Sequence, residues 1–256
     1  MLTDQASLQA RRAAHEARVD GWTRPHLERR RRGEKHPVLD FLFTYYSFRP
    51  AQLRQWRPGG EPHRRPETVA WVRDLLAATA ARPPHLGCFG LHEWAMVYRQ
   101  TQDELRHNAW PLRLGPAGTD TVVEASRIRC SHFDAFRFYT APARSLNLLQ
   151  PTRETQFANE QPGCLHANMD LYKWSYKLSP LTSGELIADC FELAVDIRTL
   201  DMQASPYDLA ALGYPAVPIE TPDGRAEYTR RQRELSDRAA PLRAALIAVC
   251  DQVSQP

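Results

Sequence analysis

Val69, Val72, Leu75, Leu76 and Thr79 recur at the spacing of one helix face, and similar periodicity runs through most of the chain. The pattern predicts a charged helix over residues 4–19 and another over 22–33, with a break near Pro25, because an interior proline removes a backbone donor. Pro37 suits a helix start, and Val38 to Tyr46 is a dense apolar run that belongs in the core. A short helix from Pro50 to Trp56, a Pro/Gly/His/Arg loop over 57–66 and the amphipathic helix opened by Pro66 follow. That helix ends before Pro83-Pro84.

Further on, 88–106 reads as helix, 107–118 as loop, and Thr119-Asp120 as the N-cap of a helix to about Arg127. Ile128 to Tyr139 is ambiguous, since its alternation allows a strand while Phe133, Ala135 and Phe136 also suit a helix. Residues 140–164 are irregular, and loops of that length are usually functional or mobile. Helices are expected over Cys164 to Leu178, from the capping box at Thr182-Glu185 to about Gln203, and from Pro222 to Val253. Between the last two, Pro206 to Leu212 makes a helical turn closed by Gly213, and 215–222 is extended. The fold class is therefore mainly α: a single helical domain over residues 37–256, with long irregular loops and room for a short strand pair, preceded by a basic helical extension over 1–36.

Composition adds bounds. Hydrophobic residues at 43% and charged residues at 25% are ordinary for a globular protein. No apolar run approaches a membrane span, and Met1 to Gln9 has no signal-like apolar stretch, so no membrane partner is expected. Five widely spaced cysteines without a CxxC pair argue against a disulfide framework or thiolate zinc site and favour a cytoplasmic protein. The net charge of +3 is uneven: residues 1–65 hold 14 Lys or Arg against 7 Asp or Glu. Arg29, Arg30, Arg31, Arg32 and Lys35 could grip nucleic-acid phosphates, or could form a solvated helix end.

Three segments concentrate polar chemistry among apolar neighbours: 91–99 with His92 and Glu93, 130–138 with His132 and Asp134, and 165–174 with His166 and Asp170. Burying such groups is costly unless they pair, bind a metal or do chemistry. His166 and Asp170 share a helix face at i,i+4, and His132-x-Asp134 converges if extended. With His92 or Glu93 they allow two histidines and one carboxylate around iron or another divalent metal. Met96 stands where a zincin would need its second histidine.

A metal-free alternative uses the aromatic company of the acids. Trp94, Tyr98, Phe133, Phe136, Tyr172 and Trp174 could sandwich a flat base, with Arg153 anchoring an anion. Asp134, Asp170 or Glu93 would then assist hydrolysis of an N-glycosidic bond without a cofactor. The turn from Asp201 to Asp208 places two acids and a tyrosine where they could line a site. Asp189, Glu192 and Asp196 read as a solvated acidic stripe. No GxGxxG, GxxxxGK[ST] or GxSxG occurs, which counts against dinucleotide-binding, P-loop and α/β-hydrolase enzymes.

The segments from His36 to Pro50, Leu91 to Arg99, Ser131 to Phe138 and Asp201 to Leu209 resemble those of a bacterial group commonly named 3-methyladenine DNA glycosylase, over about residues 15–250. The chain lacks the Gly-rich hairpin followed by an aspartate, and the repeated helical array, of the best-known alkylpurine glycosylases. The resemblance implies excision of alkylated purines from DNA. Its rivals are a metal-dependent enzyme of non-haem iron type acting on a small molecule and a non-catalytic helical binding module.

Overall fold

Pro25 does not break the first helix. The computed structural model describes residues 2–252, with side chains from residue 5 onward, and α1 runs unbroken through Leu2–Arg31. An interior proline costs a helix about 3 kcal/mol, and anchors on both sides of Pro25 offset it. His15 reaches Leu53 O at 2.9 Å, Arg18 binds Asp189 and Glu192, and Trp22 packs against Phe191. Beyond the proline, His26 and Arg29 both hold Asp40.

The chain is mainly α-helical, as the periodicity predicts. Helices take up 60% of it, and the β pairing among the described residues is two isolated bridges, Leu112 with Tyr207 and Ile128 with Asn147. After α1 come α2 (Phe41–Tyr45), α3 (Pro50–Arg54), α4 (Pro66–Ala80), α5 (Leu91–Ala95), α6 (Gly115–Ala125), α7 (Phe133–Phe136), α8 (Ala141–Arg144), α9 (Gln156–Asn159), α10 (Leu165–Lys177), α11 (Gly184–Gln203) and α12 (Pro222–Asp251).

Two compact units share these elements. Unit one comprises Met1–Leu76, Met169–Val195 and Pro241–Pro256; unit two comprises Ala77–Asn168 and Asp196–Ala240. In unit one α1 packs on α3, and Val19, Leu42, Leu53, Leu75, Leu171, Tyr172 and Phe191 are buried. In unit two α5 packs on α6, and Trp94, Val123, Ile128, Ile197 and Tyr228 are buried.

The middle of the chain departs most from expectation. The helix expected over 88–106 is reduced to α5 and a 3-10 turn at Gln102–Glu104, bounded by Phe89 (φ 49°) and Arg99 (φ 57°). Left-handed backbone at non-glycine residues cannot belong to a right-handed helix and costs about 1–3 kcal/mol each. α6 begins at Gly115, so Thr119 lies inside it, donating to Gly115 O at 2.7 Å instead of capping. The ambiguous 128–139 segment splits into a bridge at Ile128 and the short α7. Asn147 closes the bridge: it accepts from Cys130 N at 2.7 Å and donates to Cys130 O at 2.9 Å. The irregular stretch to residue 164 carries the one-turn helices α8 and α9.

Candidate metal centre

Within unit two, α5, α10 and α11 bring one group each to a common point. Gly90, left-handed at φ 67°, turns the chain into α5, a backbone conformation that favours glycine, and it lies against Ala204 and Tyr228. The next turn carries His92 and Glu93, both buried. His166 lies in the first turn of α10 and is half-buried. Asp201 lies in the last turn of α11 and is fully buried. One ring nitrogen from each of His92 and His166 and one Asp201 oxygen all fall within 4.8 Å of one another.

A carboxylate in the last turn of a helix faces the negative end of the helix dipole, and Asp201 is held by compensating contacts. His92 Nε2 lies 2.8 Å from Asp201 Oδ1, and Arg198, one turn earlier on α11, donates to Asp201 Oδ2 at 2.9 Å. The same Arg198 nitrogen donates to Glu93 at 2.7 Å. Burial by itself would raise the Asp201 carboxyl; His92, His166 and Arg198 outweigh it and hold Asp201 far below the ordinary carboxylate range. Burial likewise opposes a charged His92, but Asp201 keeps its pKa above the usual value. For Glu93 burial wins, and its carboxyl is raised despite Arg198. Arg198 meets both acids, and His92, whose charged form Asp201 favours, supplies the second positive group of the network.

His166 also connects to a second pair. Its ring stands edge-on to His92 with centroids 4.3 Å apart, and 5.4 Å from the ring of His132. His132 caps α7, accepting from Ala135 N at 3.3 Å, and its Nε2 lies 3.5 Å from Glu160. Gln156 donates to the same Glu160 oxygen at 2.6 Å. Three imidazoles therefore form a row in unit two, with Asp201 beyond one end and Glu160 beyond the other.

The other expected site residues have partners of their own. Glu93 is taken by Arg198, and the carboxylate that meets His92 and His166 is Asp201. Asp134, half-buried, pairs with Arg137 at 3.2 Å. Asp170 belongs to unit one, where it accepts from Tyr46 OH at 2.8 Å and binds Lys173. The expected aromatic platform is divided: Trp94, Tyr98, Phe133 and Phe136 belong to unit two, Tyr172 and Trp174 to unit one. Trp94 is fully buried and donates to Ala204 O at 2.8 Å, so it is core. Tyr98 OH donates to Glu124 at 2.7 Å, Phe136 packs on Tyr139, and Arg153 stands over the Phe133 ring at 5.7 Å. Of the basic run, Arg29 is bound to Asp40 and Arg32 to Glu34, while Arg30, Arg31 and Lys35 are exposed.

Asp201, Arg198 and Glu160 complete the centre; of these only Asp201 stands out in the sequence, as part of a turn and not as a partner of the histidines. A signal for two of them exists. Ala194, Ile197 and Leu200 are fully buried on α11, so Arg198 and Asp201 interrupt an apolar stripe at i,i+3. Charged residues in such a stripe must find partners.

The five cysteines are unpaired thiols. Burial raises Cys88 and Cys164 and pushes Cys130 up to about 12, so in unit two these sulfurs are protonated, unlike thiolate ligands. No protein-family model, curated protein or solved structure matches the chain.

Proposed function

We propose that the protein is a divalent-metal-dependent enzyme of the non-haem iron type, acting on a small molecule, with His92, His166 and Asp201 as the ligands. The convergence of these three groups within 4.8 Å carries the reading. Adjacent ligands about 2.1 Å from an octahedral cation lie about 3 Å apart. The 2.8 Å between His92 Nε2 and Asp201 Oδ1 is of that order. Two histidines and one carboxylate leave other coordination positions open, as such iron sites require. A cation there would replace the proton that Asp201 favours on His92.

The residues then divide the work. Arg198 occupies the outer Asp201 oxygen and turns the inner one towards the histidines, the role that groups around a metal's direct ligands commonly take. His166, the least buried of the three, marks the side from which a small molecule would reach the cation. His132, backed by Glu160 and next to His166, is a group able to accept or return a proton.

Elemental analysis of protein purified without a metal-affinity tag tests the assignment. Near-stoichiometric iron, manganese or zinc, lost in His166→Ala while the circular dichroism stays helical, is the expected result. A metal-free protein that takes up none of the three on titration would overturn it. Release of 3-methyladenine from alkylated DNA, undiminished by chelation, would overturn it in favour of the glycosylase that the resemblance implies.

A further inference from the structure

Unit one contains a cavity of about 720 Å³ unrelated to the ligand set above. Its wall includes Arg57, His63, Arg64, Arg65, Thr68 and Lys177, with Glu61 as the one acid. Several arginines of this unit are engaged by acids: Arg18 by Asp189 and Glu192, Arg54 by Glu16 and Asp20, Arg73 by Asp74 and Asp251. Arg64 and Arg65 have no side-chain partner among the described residues, and Arg57 donates to the neutral Gln55. Three guanidinium groups gathered on a concave wall repel one another until an anion arrives. Arg is the side chain that best matches phosphate, offering two parallel donors.

The wall is built, not draped. Gly59 has φ 82°, and a Cβ there would stand 2.7 Å from Ser183 N, so only glycine permits the close approach. Gly60 N donates to Leu181 O at 2.7 Å, and Gly184 N to Arg57 O at 2.9 Å. His63 Nε2 donates to Lys177 O at 3.0 Å, and its Nδ1 accepts from Arg65 N at 3.1 Å. Loop 57–65 is thus tied to the turn before α11 and to the end of α10. A ligand meeting it does not have to order the loop first.

An aromatic edge adjoins the cations. Trp71 lies one turn beyond Thr68 on α4, is 38% exposed, and its ring centroid is 5.3 Å from that of Trp174. The ammonium of Lys177, a residue of the cavity wall, lies 5.6 Å from the Trp174 ring. The exposed indole of Trp71, backed by the buried Trp174, provides a stacking surface for a nucleobase, whose phosphate the cations would hold.

We propose that this cavity binds a nucleotide, with its phosphate on Arg57, Arg64 and Arg65 and its base against Trp71. The site stands independently of the metal centre. ADP, ribose 5-phosphate and a ten-residue oligothymidylate, titrated at low and moderate salt and followed by tryptophan fluorescence and calorimetry, test it. Saturable binding of ADP is expected, weakened about tenfold or more in Arg64→Ala/Arg65→Ala, because charged hydrogen bonds of this kind are lost. Trp71→Ala should weaken ADP and leave ribose 5-phosphate unchanged. Arg30→Ala/Arg31→Ala, altered on the exposed end of α1, should bind as the parent does. Oligonucleotide binding tighter than ADP, and falling more steeply with salt, identifies a nucleic-acid strand as the source of the nucleotide; the reverse order identifies a free nucleotide. The proposal fails if none of the three phosphates binds saturably, if the double arginine variant binds normally, or if ribose 5-phosphate binds as tightly as ADP.

Discussion

Arg198 shows how much depends on one buried side chain. It is 1% exposed, and it bonds to both Glu93 and Asp201. Arg198→Met keeps the length of the side chain and removes the charge, leaving two buried carboxylates without their cation. Breaking a buried pair in this way costs about 3–5 kcal/mol, so urea unfolding should show a loss of that size. A loss below about 1 kcal/mol, the range of exposed pairs, would mean that water reaches the network. At this scale the sequence was partly legible. His92 and His166 stand out as polar residues in apolar segments, and both converge. Glu93 stands out equally, yet Arg198 takes it, since nothing in a linear pattern tells which carboxylate an arginine 105 residues away will neutralise.

Elements are where local rules and tertiary contacts compete. The Pro66 helix start and the glycine closing the turn at 213 match α4 and the 3-10 turn at Ala210–Leu212, and α11 starts where the capping signal stands, although Ser183 and not Thr182 caps it, accepting from Leu186 N at 3.2 Å. Those signals are local, and so are their outcomes. Pro25 obeys the opposite logic, because contacts on both sides of it hold α1 together against a local preference. One of these contacts has a pH signature. Burial alone would raise the Asp40 carboxyl, but Arg29, His26 and the His36 amide outweigh it and hold Asp40 below the ordinary value. The unfolded chain therefore binds this proton more readily than the folded one, and stability rises with pH across that interval. The contribution is complete above about pH 4, the unfolded-state value, and is lost as the pH falls through the lower folded one. Asp40→Asn should flatten the stability–pH curve in that acid range. A curve of unchanged slope would show that Asp40 is not so held.

For the molecule as a whole, a cation bound only by the folded state adds to its stability. At a hundredfold excess over the dissociation constant the gain is about 2.7 kcal/mol, and each kcal/mol raises the melting temperature of a chain of this size by about 2–4 °C. Chelation should lower the melting temperature by several degrees and reloading should restore it; identical melting curves would remove the metal from the account. The mainly α class was determined by the sequence itself, because 3.6-residue periodicity is a property of adjacent residues and persists wherever the helix is packed. So were the polar positions His92, His132 and His166, whose cost of burial is visible in any apolar neighbourhood. Only the tertiary structure decided that α5 is a single turn, that Asp201 meets the histidines, and that Asp170 is held by Tyr46 and Lys173 in unit one. It also decided that the loop over 57–65 forms a cationic wall. These outcomes join residues tens to more than a hundred positions apart, and such pairings are set by which faces bury together, a choice that no local pattern encodes.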